Sequence, residues 1–281
     1  MILLLVKLVV TPILIAATTL VGRRFGPTAG GILATLPIVT GSVSFYVAVE
    51  QGTGFGSRTA DAALVGIASV GWFGLAYART SLRRGWPASL LAGYVAFVAT
   101  SVAVPLLAAA PGWLAFGIVA TSLLVATRLM PPVSAMEPAA APRWDLPARM
   151  LTGALVVLLV TALAEQAGPQ VSGLLSAAPF ILAVLIVFTH ANEGAGAAAA
   201  MARGFTIGLI GTAAFLALVV DLIGPAGIGI AYAVAAAGCL TLQASFMLGL
   251  RRGPLRGGSR VPARAGVASR AEPSDSERLP I

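Results

Sequence analysis

The sequence predicts an all-α integral membrane protein of about nine transmembrane helices, written as two related halves. Three observations predict it. The chain is 58% hydrophobic and only 10% charged, whereas soluble domains carry about 25% charge. Apolar runs of roughly 20 residues recur along it, the length a ~30 Å hydrocarbon core demands of a helix. A pattern of glycine and proline in the first half returns 142 positions later. An outer-membrane barrel would show short alternating segments, and these runs do not alternate.

The expected spans are 2–21, 29–49, 59–78, 87–109, 113–130, 146–165, 170–190, 201–222 and 226–249. The first carries Lys7 inside its apolar run, with no polar cleavage region after it, so no removable signal peptide is expected. Prolines at 131, 132, 138 and 142 forbid a continuous helix over 131–145, which reads as a linker. The chain therefore divides into a first repeat with an extra fifth span (1–130), a Pro/Ala-rich cytoplasmic linker (131–145) and a second repeat (146–250). An Arg-rich cytoplasmic tail (251–281) completes it and is expected to be disordered for want of any burial pattern.

Arginine placement sets the orientation. One set of alternate loops holds Arg23, Arg24, Arg79, Arg83, Arg84, Arg128, Arg143, Arg149, Arg203 and the tail; the other holds only Lys7 and Arg58. The first set is predicted to be cytoplasmic, which puts the N-terminus outside and the C-terminus inside. That arrangement needs an odd number of spans, as nine is. The formal charge of +8 is then mostly positive-inside arginine and tail, so no nucleic-acid partner is implied.

At the 142-residue offset Gly26, Pro27, Gly31, Leu33, Pro37, Gly52 and Gly54 meet Gly168, Pro169, Gly173, Leu175, Pro179, Gly194 and Gly196. Lys7 meets Arg149. Spans 1–4 pair with 6–9, and the unpaired fifth span makes the second copy enter from the opposite face. This is an inverted-topology repeat, a plan common in secondary transporters. Pro37 and Pro179 each lie ten residues beyond a first-turn proline, about 15 Å along a helix. Each is expected to free a carbonyl four residues earlier, at Leu33 and Leu175. Two helices broken at mid-depth are where such transporters place substrate. The expected pathway residues are Gly31, Leu33, Thr35, Pro37, Thr40 and Ser42 in one half, and Gly173, Leu175, Ser176 and Pro179 in the other.

Charged residues near the two entrances are Lys7, Glu50, Asp61, Arg149, His190 and Glu193. Lys7 and Arg149 read either as snorkelling cations or as attractors of an anionic solute. His190 and the carboxylates read as solvated helix ends or as proton-binding vestibule groups. No metal-ligand spacing, nucleotide loop or nucleophile–base pair is evident, so neither enzyme activity nor a cofactor is expected. Cys239, the single cysteine, excludes an intrachain disulfide.

The motif Gly31-x-Leu33-x-x-x-Pro37 and its echo Gly173-x-Leu175-x-x-x-Pro179 resemble the second span of small bacterial GlpM-like inner-membrane proteins. The resemblance covers about 30 residues in each half. It implies a multi-pass bacterial inner-membrane protein built as a fused inverted duplication, and it brings no further site residues. The function expected is secondary transport or export of a small, anionic-leaning solute by alternating access. The alternative is a non-transporting scaffold or lipid-binding component of an envelope pathway. Membrane lipids and a small solute are the expected partners, with a homodimer left open.

Overall fold

The computed structural model describes residues 2–102, 111–132, 142–166 and 178–252. Among the described residues every regular element is an α-helix. In chain order these are α1 (Ile2–Phe25), α2 (Pro27–Leu33), α3 (Ile38–Gln51), α4 (Thr53–Ser81), α5 (Trp86–Ser101), α6 (Gly112–Leu129), α7 (Asp145–Gln166), α8 (Phe180–Glu193) and α9 (Ala195–Arg252). Helix α9 is two limbs joined at Gly227, whose φ of 77° and ψ of 168° are not helical. Among the described residues α1, α4, α6, α7 and α9 are long and apolar enough to cross a membrane. Each of the nine expected spans overlaps a helix.

The outer faces are apolar. On α7, Leu151, Leu155 and Leu159 follow one another at helical spacing and are 63%, 56% and 60% exposed. Trp113 and Leu91, each 67% exposed, do the same for α6 and α5. So much apolar exterior is a liability in water and the normal state against lipid tails. Inside, α4 packs along α9 and holds α5 and α6, while α1 packs on α7 and α2. Phe73, Tyr77, Phe97, Leu123, Leu185 and Leu216 are fully buried at the centre.

The helix breaks fall where the punctuation predicts. Helix α3 begins one residue after Pro37 and α8 one residue after Pro179. The two prolines have nearly the same backbone, φ −76° and ψ 43° against φ −80° and ψ 56°. Around each, an N–H reaches back across the proline, Ile38 to the Leu36 carbonyl at 2.7 Å and Phe180 to that of Ala178 at 2.8 Å. Both helices end at a glycine of positive φ, Gly52 at 85° and Gly194 at 91°, a conformation that costs other residues free energy.

Helix α2 is held against the first limb of α9 by backbone contact. A Cβ on Gly31 would meet the Phe205 nitrogen at 2.7 Å, and one on Gly204 would meet the Thr28 Cα at 2.8 Å. Small residues let helices approach this closely where no hydrophobic effect drives them together. Backbone atoms cannot step aside as a side chain can, so Gly31→Ala and Gly204→Ala are each expected to cost about 1–3 kcal/mol of stability. Gly117, on the exposed face of α6 with nothing near it, should tolerate alanine unchanged or gain up to ~1 kcal/mol. Thermal midpoints of the three variants in detergent check this; equal midpoints would refute the close approach.

Candidate functional site

The site is built around the break between α2 and α3. The chain tightens there, with the Thr35 N–H donating to the Ile32 carbonyl and the Leu36 N–H to the Leu33 carbonyl, both at 3.2 Å. The Leu33 carbonyl is therefore not left over, contrary to the expectation from the missing proline N–H. A short i→i+3 turn meets it instead, as helix ends commonly do. The carbonyl that reaches outside its own segment is that of Thr35. The Thr212 hydroxyl, from the first limb of α9, donates to it. The Gln243 amide, from the second limb, donates to the Thr35 hydroxyl at 3.0 Å, which itself donates to the Ile32 carbonyl at 2.7 Å. All three side chains are buried. The first broken helix is thus tied to both limbs of α9 by a polar bridge.

Beside this bridge is a cleft of about 510 Å³ between α3 and the second limb of α9. Pro37, Gly41 and Ser42 line one wall, and Ala236, Cys239 and Leu240 the other. Aromatic rings complete it: the Tyr232 ring meets Phe45 at 5.1 Å and Phe215 at 5.9 Å, both edge-on. The Tyr232 hydroxyl is hydrogen-bonded to Ser44. Ser42 donates to its own Ile38 carbonyl. Tyr46 is also on the wall. Of the expected pathway residues, the structure brings Pro37 and Ser42 onto the cleft and Thr35 behind it, while Thr40 is exposed elsewhere on α3. Gly31 lies in the α2–α9 contact. Pro179 opens α8 in the other half and is buried. Gly173, Leu175 and Ser176 lie outside the described residues.

A second polar centre forms where the ends of α1, α7 and α8 converge. Arg149 is 1% exposed and donates in every direction. Its Nε bonds to both Asp145 oxygens at 2.9 Å, Nη1 to the Thr189 hydroxyl at 3.0 Å and Nη2 to Glu193 at 3.2 Å. Its guanidinium lies 5.6 Å from the centre of the Phe188 ring. Arg23, from α1, closes on Asp145 at 2.7 Å, and the Asn192 amide bonds to the same carboxylate. Two guanidinium groups and two carboxylates make the cluster neutral in sum. Arg149 is thus neither snorkelling nor free to attract a solute anion, because its charge is spent on buried partners. Asp145, read as the last residue of the linker, is instead the first residue of α7 and fully buried. Glu193 lies beyond the expected span 170–190; burial raises its carboxyl above the ordinary glutamate range, and the Arg149 guanidinium opposes the rise.

The remaining charged candidates are scattered. His190 pairs with Tyr77 through Nδ1 at 3.1 Å, on the inner side of α8. Asp61, on α4, has a buried Oδ1 with no hydrogen-bond partner among the described residues. Arg203, its counterpart in the other half, donates to the Met130 and Pro131 carbonyls at 3.1 and 3.3 Å. The Lys7 side chain lies outside the described residues. Sequence reasoning missed Thr212, Gln243, Ser44 and Tyr232, and gave Asn192 no ionic role. Their partners are far away in the chain; the only local signal was a buried-type polar residue inside an apolar run.

No family model, curated protein or solved structure matches the chain.

Removing one member of a buried ion cluster leaves the other's charge uncompensated, at about 3–5 kcal/mol. Arg149→Met should therefore lower the thermal midpoint severely. Asp145→Asn combined with Arg149→Gln should recover part of the loss. Unfolding in detergent measures both, and a midpoint for Arg149→Met equal to that of the unmodified chain would mean the cluster is not closed.

Proposed function

We propose that the chain is a secondary transporter or exporter of a small solute, working by alternating access across a bacterial inner membrane. The observation that carries this is a cleft at one of two helix breaks that match in backbone. In this reading spans 1–4 and 6–9 form an inverted-topology repeat, with the N-terminus outside and the C-terminus in the cytoplasm. Support comes from the 142-residue offset, which α3 and α8 keep at both ends, from Ile38 to Phe180 and from Gln51 to Glu193. Helices α4 and α9 begin at the same offset, at Thr53 and Ala195. The break at Gly227 falls opposite Gly85, between α4 and α5.

The two ends of the fold differ in a way alternating access requires. The cleft runs from Pro37 along α3 toward Glu50, the end read as outer. Arg23, Asp145, Arg149 and Glu193 draw α1, α7 and α8 together at the end read as cytoplasmic. An ionic latch on one side and an accessible break on the other suit an outward-open state. Switching would exchange them, with the Pro37 and Pro179 breaks as the flexing points, since hinges sit at element ends that absorb backbone change. The anion preference expected from Lys7 and Arg149 loses its Arg149 half, because that charge is neutralised.

Accessibility tests this directly. In a Cys239→Ala background, Ser42→Cys should react with a membrane-impermeant cationic methanethiosulfonate from the outer face. Its positional equivalent, Val184→Cys, is buried in α8 and should react from neither face, or at least tenfold more slowly from the inner one. A Thr53→Cys variant, exposed at the outer turn, serves as control. Silence at Ser42→Cys from both faces, with the control labelled, would remove the water-filled pathway and favour the scaffold reading.

A further inference from the structure

The two halves treat the same position differently. In the first half the space beside the broken helix is bounded by Ala236 and Cys239, and a cleft remains. Their equivalents, 142 positions earlier on α5, are Tyr94 and Phe97, and Tyr94 stands beside the second broken helix. There Tyr94 meets Phe73 at 5.1 Å and Phe180 at 6.4 Å, and Phe97 is 1% exposed. Rings occupy beside α8 what is left open beside α3. The wall of α3 is also more polar than that of α8, with Ser42, Ser44 and Tyr46 standing where α8 has Val184, Ile186 and Phe188.

The cleft has a definite chemical character. None of the residues lining it is charged. Phe45, Tyr46, Phe215 and Tyr232 offer ring surface for an apolar body, and the volume is in the range of small-molecule pockets. The Ser42 hydroxyl is committed in one sense only. Ser42 gives its one proton to the Ile38 carbonyl, and the Tyr232 hydroxyl is paired with that of Ser44. What Ser42 keeps is lone-pair capacity. A ligand bonded to Ser42 must bring the proton itself. A carboxylate, sulfonate or phosphate brings none, and would lose its hydration with no cation to replace it.

We infer that the Pro37 cleft is the single ligand site of the two equivalent positions, and that it takes small uncharged molecules with a ring-sized apolar body and a hydrogen-bond donor, such as phenols or alcohols. The inference rests on the transport reading only for what happens to the ligand after binding. Ala236 and Cys239 are the specificity-determining residues, since their small size creates the space. Ser42 is the acceptor that distinguishes a donor-bearing ligand from its ether.

Binding to the full chain in lipid nanodiscs tests this, with empty nanodiscs of the same lipid as blank. The probes are radiolabelled 2-naphthol, 2-methoxynaphthalene, which lacks the donor, and 2-naphthalenesulfonate, which is anionic. The expected result is saturable 2-naphthol binding, at least tenfold tighter than that of either other probe. Ala236→Tyr with Cys239→Phe, which copies the filling beside α8, should lose at least tenfold. Ser42→Ala, exposed and harmless to packing, should bind the alcohol and the ether alike. The filled variant is judged at an unchanged thermal midpoint; where it does not fold, the Ser42→Ala comparison decides. Equal or tighter sulfonate binding, no saturable naphthol binding above the blank, or an unaltered alcohol-to-ether ratio in Ser42→Ala overturns the assignment. Saturable naphthol binding without uptake into proteoliposomes would remove the transport reading and leave this site standing. Sulfonate uptake without naphthol binding would do the reverse.

Discussion

The arrangement depends on one constraint: a backbone broken inside an apolar interior must have its polar groups met by something other than water. Pro37 creates the need, since it cannot donate to the turn before it. The chain meets part of it locally, through the tight turn at Ile32–Leu36. The rest is met from far away, by Thr212 on the Thr35 carbonyl and Gln243 on the Thr35 hydroxyl. Those two side chains sit on opposite limbs of α9, so satisfying the break fixes where both limbs lie. Close approach through Gly31, Gly204 and Gly208 is what brings the donors within reach. The glycines and the bridge are therefore one device: without the first, the second is out of range.

The same constraint explains why so little charge is visible. Buried ions are tolerated only with partners, and Arg149 has two carboxylates, a hydroxyl and a ring around it. The partner set is drawn from α1, α7 and α8, so the cluster ties the two halves at one end as the Thr35 bridge ties them nearer the middle. The cleft along α3 lies beyond the Thr35 bridge, on the side away from the cluster, and neither tie closes it. Its aromatic and hydroxyl lining follows from the same economy. A space between helices in lipid can stay open only if its walls carry no unmet charge.

The parts of this arrangement that were legible in the sequence are those set by backbone chemistry within a few residues. Proline and glycine act locally, so the starts of α3 and α8, their ends at Gly52 and Gly194, and the helical class could be read from spacing. Pro37 and Ser42, which line the cleft, could be singled out for the same reason, as neighbours of a break. The Leu33 carbonyl was misjudged because the rule for proline assumes a continuing helix, whereas here the helix simply ends. Asp145 was hidden by its surroundings: a proline-rich stretch makes a linker of any polar residue in it, and only the fold shows that α7 starts there. Thr212 and Gln243 were out of reach altogether. Each is one polar residue in a long apolar run, and its partner is 177 or 208 positions away.

The difference between the halves carries more functional content than their likeness. On the proposed duplication, the chain has two equivalent breaks and two equivalent spaces beside them. On the proposed alternating-access reading, keeping both open would leave two routes for water and no closed side in any state. Tyr94 packs against Phe180 at the start of α8, so the proposal makes that side the packed lever and leaves the space beside α3 to hold a ligand. The ionic cluster follows the same division, because its α8 contributors, Thr189, Asn192 and Glu193, stand where α3 has Val47, Glu50 and Gln51, a set that could not pair with a buried arginine in the same way. Charge closes one end, rings fill the neighbouring space, and the small residues opposite Pro37 leave the remaining volume for something else to occupy.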